Sequence, residues 1–242
     1  MHLPPAEIWL DQYATEIGLW QGIFEKYGID LQTTEFVAGI NTIDAVVNGT
    51  ADIGMMADYA AVNRLGNTLD ATNLQIFSQI SGGQAALSGG LYVDPKYVDD
   101  PKSLDGSAGF MYQEGTVTHY YASKCIEYLG LDESKQNLIN TDSSQTRLAL
   151  IQKGGASAVY ANGSEAKYIE EAGWVQVATS QEIGIQTGSY FLSTDKYISE
   201  NTDTLAKFLQ AVDESTQYIN DHLDESAEYL ADKLGLKAED FK

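Results

Sequence analysis

Short apolar runs alternate with longer amphipathic segments in the first half of the chain. They predict a strand, a helix, a strand, a helix and a strand, in that order, at residues 6–10, about 15–27, 30–36, 42–47 and 51–56. Gly28 follows the first helix, as expected of the left-handed residue that ends many helices. This alternation is typical of α/β proteins and not of β-sandwiches or helical bundles.

The second half of the chain repeats this order. Its predicted elements are a helix, a strand, a helix and a strand, at residues 117–129, 137–140, 145–152 and 156–160. The sequence Tyr-Gly-Ile-Asp at residues 27–30 corresponds to Leu-Gly-Leu-Asp at residues 129–132. Two βαβ halves of similar order indicate a protein with two lobes.

Two segments are predicted to connect the lobes. Residues 81–90 are rich in glycine and uncharged, and residues 187–192 form a second candidate crossover. Glycines absorb the backbone rotation that an interlobe hinge requires. We therefore expect residues 1–85 and 188–242 to form the first lobe and residues 86–187 to form the second, with a cleft between them.

The composition limits the possible partners. Asp and Glu number 35 against 14 Lys and Arg, which gives a net charge of -21. Such a chain repels the phosphates of nucleic acids, so no nucleic-acid partner is expected. No run approaches the roughly 20 apolar residues that span a bilayer. Residues 1–5 lack the basic and apolar regions of a signal peptide, so we expect that any leader has been removed.

Metal and catalytic chemistry find little support in the sequence. Cys125 is the only cysteine, which rules out an intrachain disulfide and a thiolate cluster for zinc or iron. The three histidines, His2, His119 and His222, form no catalytic triad, and no spacing among His, Asp and Glu resembles a metal site. We expect no cofactor, and a protein that is not an enzyme.

Four motifs in sequence carry a family resemblance. They are Gly-Ile-Phe-Glu-Lys-Tyr-Gly-Ile-Asp at residues 22–30, Gly-Thr-Ala-Asp-Ile-Gly at residues 49–54, Pro-Lys-Ser-Leu-Asp-Gly at residues 101–106 and Gly-Thr at residues 115–116. Together they resemble the thiamine-precursor, nitrate, taurine and aliphatic-sulfonate binding proteins of ABC importers. The resemblance covers nearly the whole chain.

The resemblance implies a fold, a location and a partner. The fold is the type II periplasmic-binding fold, an α/β architecture of two lobes, each with a mostly parallel sheet flanked by helices. The location is extracytoplasmic, either periplasmic or lipid-anchored at the outer face of the cell membrane. The partner is the membrane permease of an ABC importer, and the binding protein is expected to be a monomer. Because members of the family usually run beyond the point that corresponds to Lys242, we expect a truncated C-terminus.

A ligand is expected between the lobes. In open α/β sheets, ligands bind outside the carboxyl ends of the strands, where loops and helix N-termini present unpaired backbone N–H groups. The resemblance selects the same loops. In the first lobe the candidate ligand-binding residues are Asp11, Gln12, Tyr13, Glu16, Gly39, Asn41, Thr42, Asp58 and Tyr59. In the second lobe they are Tyr112, Glu114, Gly115, Thr116, Thr118, His119, Tyr160 and Asn162.

The side chains in these loops favour a neutral or cationic planar ligand. Tyrosine faces can stack on a heterocycle and carboxylates can accept from its amino group, as with a thiamine-precursor aminopyrimidine. Neither arginine, Arg64 or Arg147, lies in the loops, although a bidentate clamp on an anion normally uses arginine.

Two alternatives stay open. Sulfonate, taurine or nitrate can be held by the backbone N–H groups of residues 39–42 and 115–118 without arginine. The fungal-type pyrimidine synthase of thiamine biosynthesis shares the scaffold, but it carries a cysteine-rich iron-binding motif that one cysteine cannot supply.

Overall fold

The computed structural model describes residues 10–36, 39–66, 73–82, 89–107, 109–234 and 237–241. The strand predicted at residues 6–10 therefore lies outside the described residues, except for Leu10, which begins a helix. The first segment predicted to act as a crossover, residues 81–90, is described only at its ends, since residues 83–88 are not among those described, whereas the second, residues 187–192, is described throughout.

Eight strands are present in the described part of the chain. In chain order they are β1 (Gly54–Ala57), β2 (Leu74–Gly82), β3 (Gly90–Val93), β4 (Phe110–Tyr112), β5 (Leu138–Asn140), β6 (Ala158–Ala161), β7 (Val175–Thr179) and β8 (Gly188–Thr194). They form a three-stranded sheet of order β1-β8-β2 and a five-stranded sheet of order β5-β4-β6-β3-β7. We call the three-stranded sheet and the elements packed on it the first lobe, and the five-stranded sheet with its elements the second lobe.

Each sheet contains a single reversed strand. In the first lobe, β8 runs antiparallel to both β1 and β2, so those two strands share a direction. In the second lobe, β4 is parallel to β5 and β6, whereas β3 is antiparallel to β6 and β7. Strand β3 begins at the end of the first predicted crossover, and β8 contains most of the second. The reversed strand of each sheet is thus the one that enters from the other lobe.

Eleven α-helices surround the sheets in the described ranges. They are α1 (Leu10–Trp20), α2 (Ile23–Lys26), α3 (Gly39–Val47), α4 (Asp58–Gly66), α5 (Val117–Leu129), α6 (Ser144–Gln152), α7 (Gly163–Glu171), α8 (Ser180–Ile183), α9 (Asp195–Glu200), α10 (Thr202–Asp221) and α11 (Leu223–Leu234). Short 3-10 helices lie at Pro95–Tyr97, Pro101–Leu104, Glu133–Lys135 and Ala238–Phe241. None of the helices that the structure describes is long and apolar enough to cross a bilayer.

Residues on alternate faces of the strands build separate cores. In β3, Leu91 and Val93 pack into the core beneath α5, whereas Tyr92 packs into the core on the other face of the sheet. In β8, Phe191 and Leu192 likewise belong to different cores of the first lobe. This alternation follows from the two-residue period of a strand, and it shows that both faces of both sheets are covered.

Helix α5 agrees with its predicted range of residues 117–129 because both of its ends are capped locally. The Thr116 side chain accepts a hydrogen bond from the Thr118 backbone N–H, and Gly130 has a φ of 68°. The first predicted helix, by contrast, is divided into α1 and α2. Gly22 adopts a φ of 66° there, a left-handed conformation that interrupts the helix.

The strand predicted at residues 30–36 is not formed. None of these residues belongs to either sheet, and residues 32–36 are exposed. A strand is stable only when it pairs with a neighbour, and the described part of the chain places no strand beside this segment.

One ion pair is buried in the second lobe. The Arg147 Nε donates to Glu165 Oε1 at 2.6 Å and its Nη2 donates to Oε2 at 3.0 Å. The two side chains are only 2% and 10% exposed. This bidentate pair joins α6 to α7, and it occupies one of the two arginines of the chain.

We expect Arg147→Met to lower the free energy of unfolding by about 3–5 kcal/mol, because it leaves the Glu165 carboxylate buried without its partner. Urea unfolding followed by circular dichroism measures the change. Lys124→Met is the control, since Lys124 pairs with Glu127 at the surface, and its unfolding midpoint should stay nearly unchanged. Equal losses at the two positions would contradict the role given to burial.

Candidate functional site

A cavity of about 650 Å³ opens where the two lobes meet and continues into the first lobe. This volume falls in the range of roughly 300–1,000 Å³ that is usual for small-molecule sites. We call the part between the lobes the cleft section, lined by Gly39, Thr42, Met56, Ala57, Ala60, Gln113, Thr116, Val117, Thr118 and Ser189. The deep section is the part inside the first lobe, lined by residues 28–36 and 50–55 and by side chains that include Phe191, Leu205, Phe208 and Leu230.

The second lobe reaches the cleft section through the turn that leads into α5. The Thr118 hydroxyl accepts from the Gln113 backbone N–H at 2.9 Å, and the Thr116 hydroxyl donates to the Gln113 carbonyl at 2.9 Å. Gly115 has a φ of 77°, which favours glycine at this position. These bonds use the two threonine hydroxyls to hold the turn, and Gln113 is among the residues that line the cleft section.

The first lobe reaches the cleft section through the start of α3. The Thr42 hydroxyl lies 2.8 Å from the Gly39 carbonyl oxygen and 2.7 Å from that of Met55. A Cβ atom on Gly39 would lie 3.0 Å from the Cβ of Met56. Glycine at this position therefore allows α3 to begin directly against strand β1.

Four aromatic rings lie where α4 of the first lobe meets β4 and α5 of the second, and none of them is among the residues that line the cavity. Tyr59 of α4 lies with its ring centroid 5.9 Å from that of His119 and 6.3 Å from that of Tyr120, both on α5. The Tyr59 hydroxyl is 3.4 Å from His119 Nδ1, and Tyr112 stands 4.6 Å from His119 between ring centroids. We call Tyr59, Tyr112, His119 and Tyr120 the aromatic cluster. Its rings contact each other across the junction of the lobes.

Asp58 ties the start of α4 to the second crossover. Its carboxylate accepts from the Thr187 hydroxyl at 2.8 Å, from the Gly188 backbone N–H at 3.1 Å and from the Tyr59 backbone N–H at 2.7 Å. These bonds give Asp58 a structural role at the point where the chain returns to the first lobe, and its ligand contact stays a prediction.

Tyr160 was expected to contact ligand, and the structure corrects this expectation. Its side chain is buried in the core of the second lobe, 4.2 Å from Tyr121 between ring centroids, and its hydroxyl is 2.8 Å from that of Ser180. Burial raises the pKa of Tyr160 to about 12. The strand that carries Tyr160 is covered on both faces, so a residue near its end does not reach the cleft.

The other candidates divide by position. Gly39, Thr42, Thr116 and Thr118 line the cleft section, while Glu16 lines the deep section and forms an ion pair with Lys233. Glu114 lies in a shallow depression beside Asn140 and Asp142. The predicted site residues with described side chains that line neither section are Tyr13, Asn41, Asp58, Tyr59, Tyr112, Glu114, Gly115, His119, Tyr160 and Asn162. For Asp11 and Gln12 only the backbone, within α1, is described.

Gln113 and Ser189 line the cleft section although neither is among the residues predicted from the sequence. Gln113 stands between two candidates, Tyr112 and Glu114, so the strand-end rule had already selected its loop. Ser189 lies in β8, and nothing local in the sequence marks it, because its place in the cleft depends on where the crossover strand pairs.

In the described ranges, no three or more His, Cys, Asp or Glu side chains lie close enough together to hold a metal ion. Cys125 is buried in the core of the second lobe, and burial raises the pKa of its thiol. A thiol in this position is poorly suited to act as a nucleophile or a ligand.

These features define a class of protein: two mixed α/β lobes, each with one reversed strand, enclosing a cavity at their junction. The sequence matches the family model described as NMT1/THI5 like over residues 17–226, so the chain belongs to the NMT1/THI5-like family. Among curated proteins, no sequence matches significantly.

Solved structures show the same fold. The periplasmic aliphatic sulphonate binding protein SsuA from Escherichia coli has a TM-score of 0.76 at 16% identity, covering 96% of this chain and 74% of that one. The periplasmic nitrate-binding protein NrtA from Synechocystis PCC 6803 has a TM-score of 0.74 at 15% identity, covering 95% and 66%. The Candida albicans CA3427 gene product, described as having the generic periplasmic binding protein fold, has a TM-score of 0.73 at 16% identity, covering 96% and 75%. The expected periplasmic-binding fold is confirmed.

Asp58→Ala is expected to lower the free energy of unfolding by about 2–3 kcal/mol, because it removes a charged acceptor from three hydrogen bonds. Chemical denaturation measures the loss. The matched control is Asp99→Ala, an exposed aspartate outside these contacts, which should leave the midpoint nearly unchanged. A stable Asp58→Ala protein with lost ligand binding would instead indicate a direct ligand contact.

Proposed function

We propose that the protein is the extracytoplasmic solute-binding subunit of an ABC importer and that it holds a small molecule in the cleft section. The observation that carries this proposal is that both lobes contribute polar groups to one cavity at their junction. A ligand there contacts both lobes only when they are closed, so it shifts the population toward the closed form. The closed form is then recognised by a membrane permease.

The boundaries of the lobes lie at the two crossovers. We propose that residues 1–85 and 188–242 form the first lobe and residues 86–187 the second, in line with the sheets that contain β7 and β8. We further propose that the protein acts as a monomer, periplasmic or lipid-anchored. The names of the matched structures, two of which are periplasmic binding proteins, support the extracytoplasmic location.

The chemistry of the cleft section supports a neutral planar heterocycle, and we propose an aminopyrimidine of the thiamine-precursor type. Among the described lining residues of the cleft section there is no Lys or Arg. Arg64 pairs with Asp44 at 2.7 Å, and Arg147 is buried with Glu165. The Gln113 amide can both donate to and accept from a heterocycle, and the aromatic cluster provides ring faces nearby.

A second candidate is an anion such as a sulfonate, taurine or nitrate. The likeness to SsuA and NrtA favours it, as does the N-terminus of α5, which points its backbone N–H groups toward the same turn. One of those groups, the Thr118 N–H, is already bonded to the Thr116 side chain. This leaves less capacity for an anion than an uncapped helix would offer.

An enzyme of the pyrimidine-synthase type is a weaker candidate. The synthase that the family resemblance suggests carries a cysteine-rich iron-binding motif. This sequence contains one cysteine, and its thiol is buried. Turnover of a bound ligand, detected by mass spectrometry, would favour the enzyme over the binding protein.

A thermal-shift screen tests the ligand class. Thiamine pyrimidine precursors are expected to raise the melting midpoint, because a ligand that binds only the folded state stabilises it. Taurine, an alkanesulfonate and nitrate serve as the anionic set. A shift with anions alone would contradict the heterocycle and support the second candidate.

Gln113→Leu is expected to weaken binding of the hit by about tenfold, since it removes the amide of a residue that lines the cleft section and would leave a polar ligand group unpaired. Isothermal titration calorimetry measures the affinity. Gln210→Leu is the matched control, because Gln210 is exposed on α10 far from the cleft. Equal affinities in the two variants would indicate that the ligand does not contact the turn before α5.

Tyr59→Ala and Tyr112→Ala are each expected to weaken ligand binding while the fold is retained, because each removes a ring from the aromatic cluster that joins α4 of the first lobe to β4 and α5 of the second. Affinity and circular dichroism are measured together. If both variants bind as tightly as the parent, the aromatic cluster takes no part in binding.

A further inference from the structure

Helix α4 belongs to the first lobe but also contacts the second. Ala60 and Ala61 pack into the core of the first lobe. Tyr59, one residue earlier, is partly buried and packs against the core of the second lobe. Successive residues of a helix point about 100° apart, so neighbouring residues of one helix can reach both lobes. Tyr59 therefore joins the lobes directly, and it is not among the residues that line the cavity.

Hydrogen bonds hold α4 in place at both of its ends. At its start, the Asp58 carboxylate accepts from the Thr187 hydroxyl of the second crossover at 2.8 Å. In its last turn, the Arg64 Nε donates to the Asp44 carboxylate of α3 at 2.8 Å. The helix that carries Tyr59 is thus fixed before its ring meets the other lobe, and a fixed side chain loses less conformational freedom in forming a contact.

The rings that meet Tyr59 are packed within the second lobe. His119 lies 4.6 Å from Tyr112, and Tyr120 lies 6.0 Å from the buried Tyr121, both between ring centroids. Tyr59 stands 5.9 Å from His119 and 6.3 Å from Tyr120, within the range of attractive aromatic pairs. The Tyr59 hydroxyl is 3.4 Å from His119 Nδ1, which is long for a hydrogen bond. Ring packing therefore carries this contact more than the hydroxyl does.

A second contact between the lobes lies one helical turn further along α4. Asn63 is four residues after Tyr59 and therefore on the same face of the helix. A Cβ atom on Gly115 would lie 3.7 Å from Asn63 Nδ2 and 3.6 Å from Cδ1 of Ile40 on α3, which is ordinary van der Waals contact. The turn before α5 is thus seated against two helices of the first lobe.

We propose that Tyr59 is a positioning residue: its ring, packed on His119 and Tyr120, holds the lobes together and so places Gln113 of the second lobe at the cleft section. The inference rests on the proposed function, because it concerns how the lobes are held around that ligand. Tyr59 acts here through the second lobe and needs no contact with the ligand. When only joined lobes bind, the apparent affinity falls with the fraction of molecules that are joined. One aromatic pair shifts such an equilibrium by roughly two- to tenfold.

Double electron–electron resonance of the full chain, with no ligand added, tests the contact. Spin labels are attached through Gln210→Cys on α10 of the first lobe and Glu171→Cys on α7 of the second, both exposed positions. The native Cys125 is buried and stays unlabelled. We expect the labelled parent to populate mainly one interlobe distance and Tyr59→Leu to raise the fraction at longer distances at least about threefold. An unchanged distribution would overturn the proposal.

Three further variants serve as controls. Tyr128→Leu is the matched one, because Tyr128 is 46% exposed on α5 and lies outside the aromatic cluster, and it should leave the distances unchanged. Tyr59→Phe keeps the ring and should behave like the parent, whereas a distribution like that of Tyr59→Leu would contradict ring packing. His119→Leu removes the contact from the other lobe, should match Tyr59→Leu, and decides the outcome if Tyr59→Leu does not fold.

Affinity for a hit from the thermal-shift screen separates this inference from the proposed function. Tyr59→Leu should weaken binding by roughly two- to tenfold, and adding His119→Leu should weaken it no further, because both changes remove the same contact. Weaker binding with unchanged interlobe distances would indicate a direct ligand contact and overturn the positioning role. A parent protein that binds no ligand would contradict the proposed function alone, since the distance measurement uses none.

Discussion

The first-lobe sheet depends on a strand that arrives from the far end of the sequence. Strand β8 lies between β1 and β2 and is paired with both along most of its length. Without it, the two earlier strands have no contact within the sheet. The chain must therefore leave the first lobe, build the second and return before the first lobe is complete. This constraint explains why two connections link the lobes and why a cavity lies at their junction.

The same constraint fixes the candidate site. Asp58 lies at the end of β1, and its carboxylate bonds to Thr187 and Gly188 at the start of β8, 129 and 130 residues further along. This contact sets where α4 begins, and α4 carries Tyr59 toward α5. The position of the Tyr59 ring against α5 thus follows from hydrogen bonds that hold the returning strand.

The polar residues around the cleft have two different roles. The hydroxyls of Thr42, Thr116 and Thr118 are bonded to backbone groups and hold the turns in place. Gln113 and Ser189 are neutral and face the cavity. Both arginines are engaged in ion pairs outside the cleft section, so the strongly negative net charge of -21 is not offset there by a described cationic side chain. A neutral ligand meets a smaller electrostatic cost in such a site than an anion does.

The sequence by itself determined the class of fold, the order of most elements and the family. Helix α5 could be predicted to the residue because its signals, Thr116 and Gly130, act on neighbouring backbone groups. The loops of the cleft could be selected because strand ends meet at one edge of a sheet. Only the tertiary structure decided which side chains face the cavity. Tyr160 is buried because its strand is covered on both faces, and Asp58 accepts hydrogen bonds from a distant crossover. Residues 30–36 join neither sheet of the described chain, although their pattern suits a strand. Caps and periodicity act between residues close in sequence, whereas pairing and burial depend on residues that the chain brings together from more than a hundred positions away.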